Sequence, residues 1–486
     1  MFTLKDPSLF KSQCFLNGEW IDADNGAVIA VDNPATGEII GSVPRCGSAE
    51  TRRAIEAASA AWFKWRALRP HERASFLLTW HELIQKHKED LARILTLEQG
   101  KPVSESLGEI ALGSSYIPWY AEECRRTYGD VVPTPRRGVR PITHMQPVGP
   151  VCAITPWNFP ISIIIRKVAP ALAAGCPVIV KPASSTPYSA FALAELARKS
   201  GFPSGTYNVL TGSAAEIGRE ICNNPKVRKI SFTGSTEVGK QLVAHASCTM
   251  KRMSMELGGN APFIVFNDAD MEQAVAGCIS AKFRNAGQTC ICANRIFVQK
   301  ESYEEFAYKL TEKVRAFKIG NGFEPGTEIG PLINSDAVAF VDGLVHDAVK
   351  KGAEVLAGGQ LHSLGGNYYQ PTVLRGVTRA MRLFDEEIFG PIAPLMVFES
   401  EKEAIALSND TSFGLASYIY TRDLGRAWRV SEALEYGLVG VNEVALAMAE
   451  APFGGVKESG MGREGGWEGL KDYMETRYVL MGGIGA

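Results

Sequence analysis

The 486 residues carry 51 Lys and Arg against 53 Asp and Glu, a formal charge of -2, with 45% hydrophobic and 21% charged residues. That balance is ordinary for a soluble globular chain and argues against a nucleic-acid surface, while the length predicts two or three domains with substantial cores. Ten cysteines without a paired spacing pattern point to reduced thiols rather than a disulfide framework.

Met1 to Asp6 carries charges where a secretory leader needs its apolar core. The longest nearly apolar stretch, 169–180, is interrupted by Gly175 and Pro177 and is too short to span a bilayer. A cytoplasmic protein with no membrane partner is expected.

Segment 125–145 carries Pro133, Pro135 and Pro141 among basic and β-prone residues, which predicts an exposed two-stranded excursion. Next come a strand over 148–154, a helix over 161–174, a strand over 177–180, a helix over 189–200 and a strand over 227–232. This βαβαβ rhythm predicts a parallel sheet with helices on both faces and ligands at the carboxyl ends of its strands. Strands over 262–266, 295–299 and 354–356, separated by amphipathic helices over 271–283 and 303–317, predict a second α/β domain starting soon after Glu256.

The predicted strand ends carry the chemistry. Thr155-Pro156-Trp157-Asn158-Phe159-Pro160 places an amide donor where an oxyanion could be met. Lys181 and Ser184, after the second strand, suit a phosphate or ribose and are equally ordinary turn residues. Gly234-Ser235-Thr236-Glu237-Val238-Gly239-Lys240 matches a triphosphatase phosphate loop through its lysine, but Gln241 stands where magnesium needs a Ser or Thr. The dinucleotide fingerprint GxGxxG is also absent. A strand, a Gly-Ser-Thr turn and a helix N-terminus remain, and these can still bind a pyrophosphate. His81 and Glu82 begin no HExxH motif, and no metal is implied.

Most cysteines are expected to be small buried hydrophobes. Cys290 differs, because the polar, Gly-containing run Asn285-Ala286-Gly287-Gln288-Thr289 leads into it. A thiolate there, its pKa lowered by positive charge or backbone N–H groups, would attack a carbonyl carbon. Glu256, before Gly258 and Gly259, is expected on a mobile turn in a cleft, where partial burial raises a carboxylate toward a general base.

Together these residues resemble the aldehyde dehydrogenase superfamily over nearly the whole chain. The segments 155–160, 181–184, 232–239, 256–260, 287–290, Glu387-Ile388-Phe389-Gly390-Pro391 and Pro452-Phe453-Gly454-Gly455 occur in family order, and 282–295 is most similar to succinate-semialdehyde dehydrogenases. The resemblance implies a Rossmann-like cofactor domain (1–124 and 146–257), an α/β catalytic domain (258–459) and a small β oligomerisation element (125–145 and 460–486) that bridges a homodimer or homotetramer.

It also implies roles. Cys290 would attack an aldehyde, Asn158 and the Cys290 N–H would hold the oxyanion, and Glu256 would activate water against the thioester. Lys167 and Glu464 stand at positions of a proton relay, although they could equally be a plain helix-surface lysine and a salt-bridge partner. Thr155, Pro156, Trp157, Lys181, Ser184, Gly234, Ser235 and Glu387 would line NADP or NAD, with Phe389 near the nicotinamide ribose. Many NAD-preferring relatives carry glutamate where this chain has Ser184, so NADP should be accepted.

Arg166, about two helical turns after Asn158, and Arg284, six residues before Cys290, would hold an anionic tail beside Phe453. Succinate-semialdehyde members tend to place a serine before Pro452, whereas this chain reads Val444-Ala445-Leu446-Ala447-Met448-Ala449-Glu450. Glutarate semialdehyde and sulfolactaldehyde therefore stay open beside succinate semialdehyde. Cys292, two residues after the nucleophile in an expected extended segment, would share its face and could form a regulatory disulfide with Cys290.

Overall fold

The structure, a computed structural model, describes residues 3–484. Met1 and Phe2 of the charged start, and the last two residues of the proposed 460–486 segment, lie outside the described residues.

Two sheets of mostly parallel strands, flanked by helices, form the frame. The first has eight strands, with Arg252–Glu256, Lys229–Thr233, Val151–Ile154, Val178–Lys181 and Tyr207–Val209 parallel in that spatial order. Cys14–Leu16 and Glu19–Ile21 close one edge and Gly460–Met461 the other, all antiparallel. Val151, Cys152 and Ala153 and all of Val178–Lys181 are buried, as continuous apolar runs require when helices cover both faces. The Ser162–Ala174 and Tyr188–Lys199 helices supply that cover. The first strand starts at Val151 and not at 148, because the Val148 N–H donates to the Tyr473 carbonyl and Gly149 and Pro150 interrupt the ladder.

The second sheet has seven strands, ordered Glu354–Ala357, Thr372–Arg375, Ile392–Phe398, Ala293–Gln299, Ala261–Val265, Ala416–Tyr420 and Leu438–Val441. Its strands are parallel except Glu354–Ala357, which departs from the expected rhythm as an antiparallel edge. Each sheet has its own apolar core, one running from Leu9 to Met474 in sequence and the other from Ala261 to Tyr436.

The 125–145 excursion needs correction. Its long strand, Val139–Pro147, pairs over nine residues with the distant Met474–Gly482, and the segment pairs with itself only around the Val131–Ile142 bridge. Among the described residues no helix is long and apolar enough to cross a membrane, and no His, Cys, Asp and Glu group could hold a metal ion.

Candidate active site

Parallel strands end on one edge, so residues far apart in sequence meet there. A cavity of about 240 Å³ is lined by Pro156, Trp157 and Asn158 after the first strand, by Gly234 and Ser235 after Lys229–Thr233, and by Cys290, Glu387 and Phe389 from the second sheet's side. A second cavity, with Phe159, Arg166, Arg284 and Phe453 in its wall, also reaches Cys290. Cys290 is the residue common to both linings.

The segment before Cys290 is strained. Asn285, Ala286 and Gly287 have φ of 53°, 54° and 76°, a left-handed run that costs a non-glycine residue roughly 1–2 kcal/mol. Position 287 admits only glycine, since a Cβ there would lie 2.1 Å from the Gly390 carbonyl oxygen. Buried side chains hold the run in place. The Asn285 N–H donates to Glu105 at 2.9 Å, its Nδ2 to the Asn158 carbonyl at 3.1 Å, and its Oδ1 accepts from Gln99 at 2.9 Å.

Lys101 Nζ, fully buried, donates to the same Asn158 carbonyl at 2.6 Å and to Glu109 at 2.7 Å. Glu109 in turn accepts from the N–H groups of Ile161 and Ser162 at 2.9 and 3.1 Å. Gln99, Lys101 and Glu109 were not singled out from the sequence. They carry no motif: Gln99 ends the Lys88–Gln99 helix, Lys101 lies in the link after it and Glu109 sits on Val103–Glu123, which packs against both Lys88–Gln99 and Ser162–Ala174.

Asn158 Nδ2 donates one of its two N–H groups to the Gln288 carbonyl at 3.0 Å. The Cys290 thiol, expected to be activated, is instead pushed up to about 12 by burial, with Arg166 opposing and Glu387 and Glu256 adding to the shift.

Glu256 is not on a mobile turn. It ends the Arg252–Glu256 strand, paired with Thr233 on one side and Gly460 on the other. It is 2% exposed, and neither carboxylate oxygen has a hydrogen-bond partner. Burial raises its pKa well above the carboxylate range, the charge of Glu464 adds to this, and Arg166, Lys167 and Arg463 oppose it.

Lys167 is not a surface lysine, and Glu464 is a buried salt-bridge partner. Lys167 Nζ donates to Glu464 Oε1 at 2.6 Å and to Ser231 Oγ at 3.1 Å, all in the interior. Arg166 Nε lies 2.8 Å from Glu464 Oε2, and the guanidinium sits 4.2 Å over the Phe453 ring. Burial raises Glu464, but Lys167 and Arg166 outweigh it and hold the carboxyl below its usual range. Arg284 sits 5.1 Å over the Phe159 ring and makes no carboxylate ion pair among the described residues.

The first cavity has the character of a dinucleotide cleft. Ser235 Oγ caps the Thr236–Ala246 helix at Val238 N, leaving other N–H groups of that terminus open. Thr155 and Thr233 hold buried hydroxyls without partners. Among the described residues Lys181 Nζ donates only to the Pro182 carbonyl, and burial lowers its pKa to about 8. Glu387 accepts from the Gly259 N–H at 2.9 Å and is pushed up to about 7 by burial. Trp157 and Phe389 meet edge to face at 5.5 Å. Thr155, Lys181 and half-buried Ser184 lie near this edge without lining the cavity. Lys240 is spent on a surface ion pair with Glu458, which removes the lysine a triphosphatase loop would need.

Cys292 follows Cys290 in a turn and not in an extended segment. The Cys292 N–H closes a turn onto the Thr289 carbonyl at 3.0 Å, and its buried Sγ donates to the Lys282 carbonyl at 3.3 Å. The extended segment on which the disulfide depended is absent.

The profile described as "Aldehyde dehydrogenase family" matches residues 20–479, and the chain belongs to that family. It is similar to the glutarate-semialdehyde dehydrogenase of Pseudomonas putida, 56% identical over 98% of this chain and 99% of that one. It is likewise similar to the NADP(+) succinate-semialdehyde dehydrogenase of Escherichia coli, 53% identical over 99% of both chains. The crystal structure of succinate-semialdehyde dehydrogenase from Burkholderia pseudomallei superposes with a TM-score of 0.98 at 53% identity, covering 99% of this chain and all of that one.

Proposed function

We propose that the enzyme oxidises a small anionic aldehyde to its acid with NADP or NAD, succinate semialdehyde first, with glutarate semialdehyde and sulfolactaldehyde as the alternatives. The observation that carries this reading is that one thiol, Cys290, closes both a cavity walled by Arg166 and Arg284 and a cavity with the features of a dinucleotide cleft. The relatives named for succinate and glutarate semialdehyde support it.

In this mechanism Cys290 Sγ bonds to the aldehyde carbon, and Glu256, whose oxygens are unpaired, takes the thiol proton. The second Asn158 N–H meets the oxyanion, a donor worth about 3–4 kcal/mol in comparable sites. A nicotinamide cofactor bound in the first cavity would supply the hydride acceptor that the oxidation requires. Its holding residues would be Trp157, Ser235, Glu387 and Phe389, with Thr155, Pro156, Lys181, Ser184 and Gly234 beside them. Glu256, having passed the thiol proton out through Lys167 and Glu464, then takes a proton from water as the oxygen attacks the thioester and Cys290 leaves. Lys167 and Glu464 carry the proton away from Glu256.

Arg284, without a carboxylate ion pair among the described residues, is the main ligand of the anionic tail, Arg166 shares itself with Glu464, and Phe453 orients Arg166. Initial rates with NAD and NADP across succinate semialdehyde, glutarate semialdehyde, sulfolactaldehyde and a neutral aldehyde of similar length test the reading. Arg284→Leu should raise KM for the anionic aldehydes about 10- to 100-fold, the worth of a charged hydrogen bond. Equal turnover of the neutral aldehyde by the unmodified enzyme would overturn it.

Ser184 leaves room and a donor for a 2′-phosphate where a carboxylate would repel it. Ser184→Glu should lower the NADP-to-NAD ratio of kcat/KM at least about tenfold, and an unchanged ratio would end this account. We divide the chain into the cofactor, catalytic and oligomerisation parts given above. A homodimer or homotetramer fits the exposed Tyr478, Val479, Leu480 and Met481 on the Met474–Gly482 strand. A cytoplasmic setting fits ten unpaired cysteines.

A further inference from the structure

The 444–451 loop reaches the arginine-walled cavity only through Ala447, so it brings no hydroxyl or amide side chain to an anionic tail. Two hydroxyls reach that cavity from elsewhere, those of Ser162 and Thr289, each residue 8% exposed. Thr289 Oγ1 has no partner, but its residue is joined to Cys290 and so stands by the reacting carbon.

Ser162 is placed differently. It opens the Ser162–Ala174 helix four residues before Arg166, so the two side chains stand one turn apart on one face. Its position is set by the neighbouring helix. Glu109 accepts from its backbone N–H at 3.1 Å, and Gly113 packs so closely that a Cβ there would lie 2.7 Å from Ser162 Cα. No hydrogen bond within the described residues occupies its Oγ. Its residue lines the cavity, so the hydroxyl is open to a ligand that enters there.

Arg166 cannot hold the tail alone, because Glu464 Oε2 already lies 2.8 Å from its Nε. A carboxylate or sulfonate entering between Arg166 and Arg284 has oxygens to spare for a neutral donor, and Ser162 is the hydroxyl on the Arg166 face. We propose that Ser162 is a specificity-determining residue whose Oγ–H donates to the anionic end of the substrate, the contact that Ala447 cannot make. The proposal rests on the reading of the chain as an anionic-aldehyde dehydrogenase.

The test is kcat and KM of the NADP-saturated enzyme for succinate semialdehyde and for butanal, in the unmodified protein, Ser162→Ala, and Ser162→Ala combined with Ala447→Ser. Ser162→Ala should raise KM for succinate semialdehyde about tenfold, the worth of one hydrogen bond to a charged group, and lower the anionic-over-neutral ratio of kcat/KM by about the same factor. Restoring a hydroxyl from the loop in the double variant should recover part of that ratio. A KM rise of equal size for both aldehydes, no rise at all, or no recovery by Ala447→Ser would overturn the role of Ser162. If the unmodified enzyme already fails to prefer the anionic aldehyde, the parent reading falls and takes this inference with it. A preference that survives Ser162→Ala sinks this inference alone.

Discussion

Cys290→Ala abolishes aldehyde oxidation while leaving the fold in place. The expected loss is at least about 10⁴-fold in kcat, the scale seen when a covalent nucleophile is removed and only binding and oxyanion contacts remain. The fold should tolerate the change because Cys290 is half-buried between two cavities and belongs to neither apolar core. The left-handed 285–287 run before it is held by hydrogen bonds to Glu105, Gln99 and the Asn158 carbonyl, which the substitution leaves in place. The informative measurement pairs steady-state rates with cofactor binding by tryptophan fluorescence, since Trp157 lines the cleft. Retained binding with no turnover is the expected result, and residual oxidation within about 100-fold of the unmodified rate would mean that another group forms the adduct.

Glu256→Gln should slow turnover by about 10²- to 10⁴-fold, the range of a positioned general base. Because burial and Glu464 raise the pKa of Glu256, its basic form grows only as pH climbs above the usual carboxylate range. The unmodified kcat should therefore rise with pH through a value well above 4.5, and that rise should vanish in Glu256→Gln. The amide is close in size to the carboxylate, and Gly454, where a Cβ would lie 2.9 Å from Glu256 Oε1, leaves the space for it. Rapid mixing separates the steps. Slow reduced-cofactor release in every turnover would assign the base to thiol activation, whereas a single fast burst followed by a stall would assign it to thioester hydrolysis. Unchanged rates and an unchanged pH profile would remove Glu256 from the mechanism.

Much of the frame was legible before any coordinates. The helix over 271–283 agrees with Met271–Phe283, and the helices over 161–174 and 189–200 agree to within a residue, because apolar periodicity and local breakers such as Gly175 set them. Four strands of the second sheet, Thr372–Arg375, Ile392–Phe398, Ala416–Tyr420 and Leu438–Val441, escaped notice, since short apolar runs look alike as strand and helix. The long strand Val139–Pro147 was misjudged for a different reason. Its partner lies more than 300 residues away, and no local signal names it.

The sequence by itself determined the chemistry that depends on residue type and spacing: a cysteine after a Gly-containing run, an acid before two glycines, an amide and a lysine at strand ends, and two arginines near the thiol. The tertiary structure decided whatever depends on burial and on partners distant in the chain. It set Glu256 at a strand end and Cys292 in a turn, turned Lys167 and Glu464 into a buried pair, and drew Lys101, Glu109 and Ser162 into the site. Solvation and hydrogen bonding are properties of the packed molecule, so a side chain's charge state and contacts become definite only when the two sheets and their helices have met.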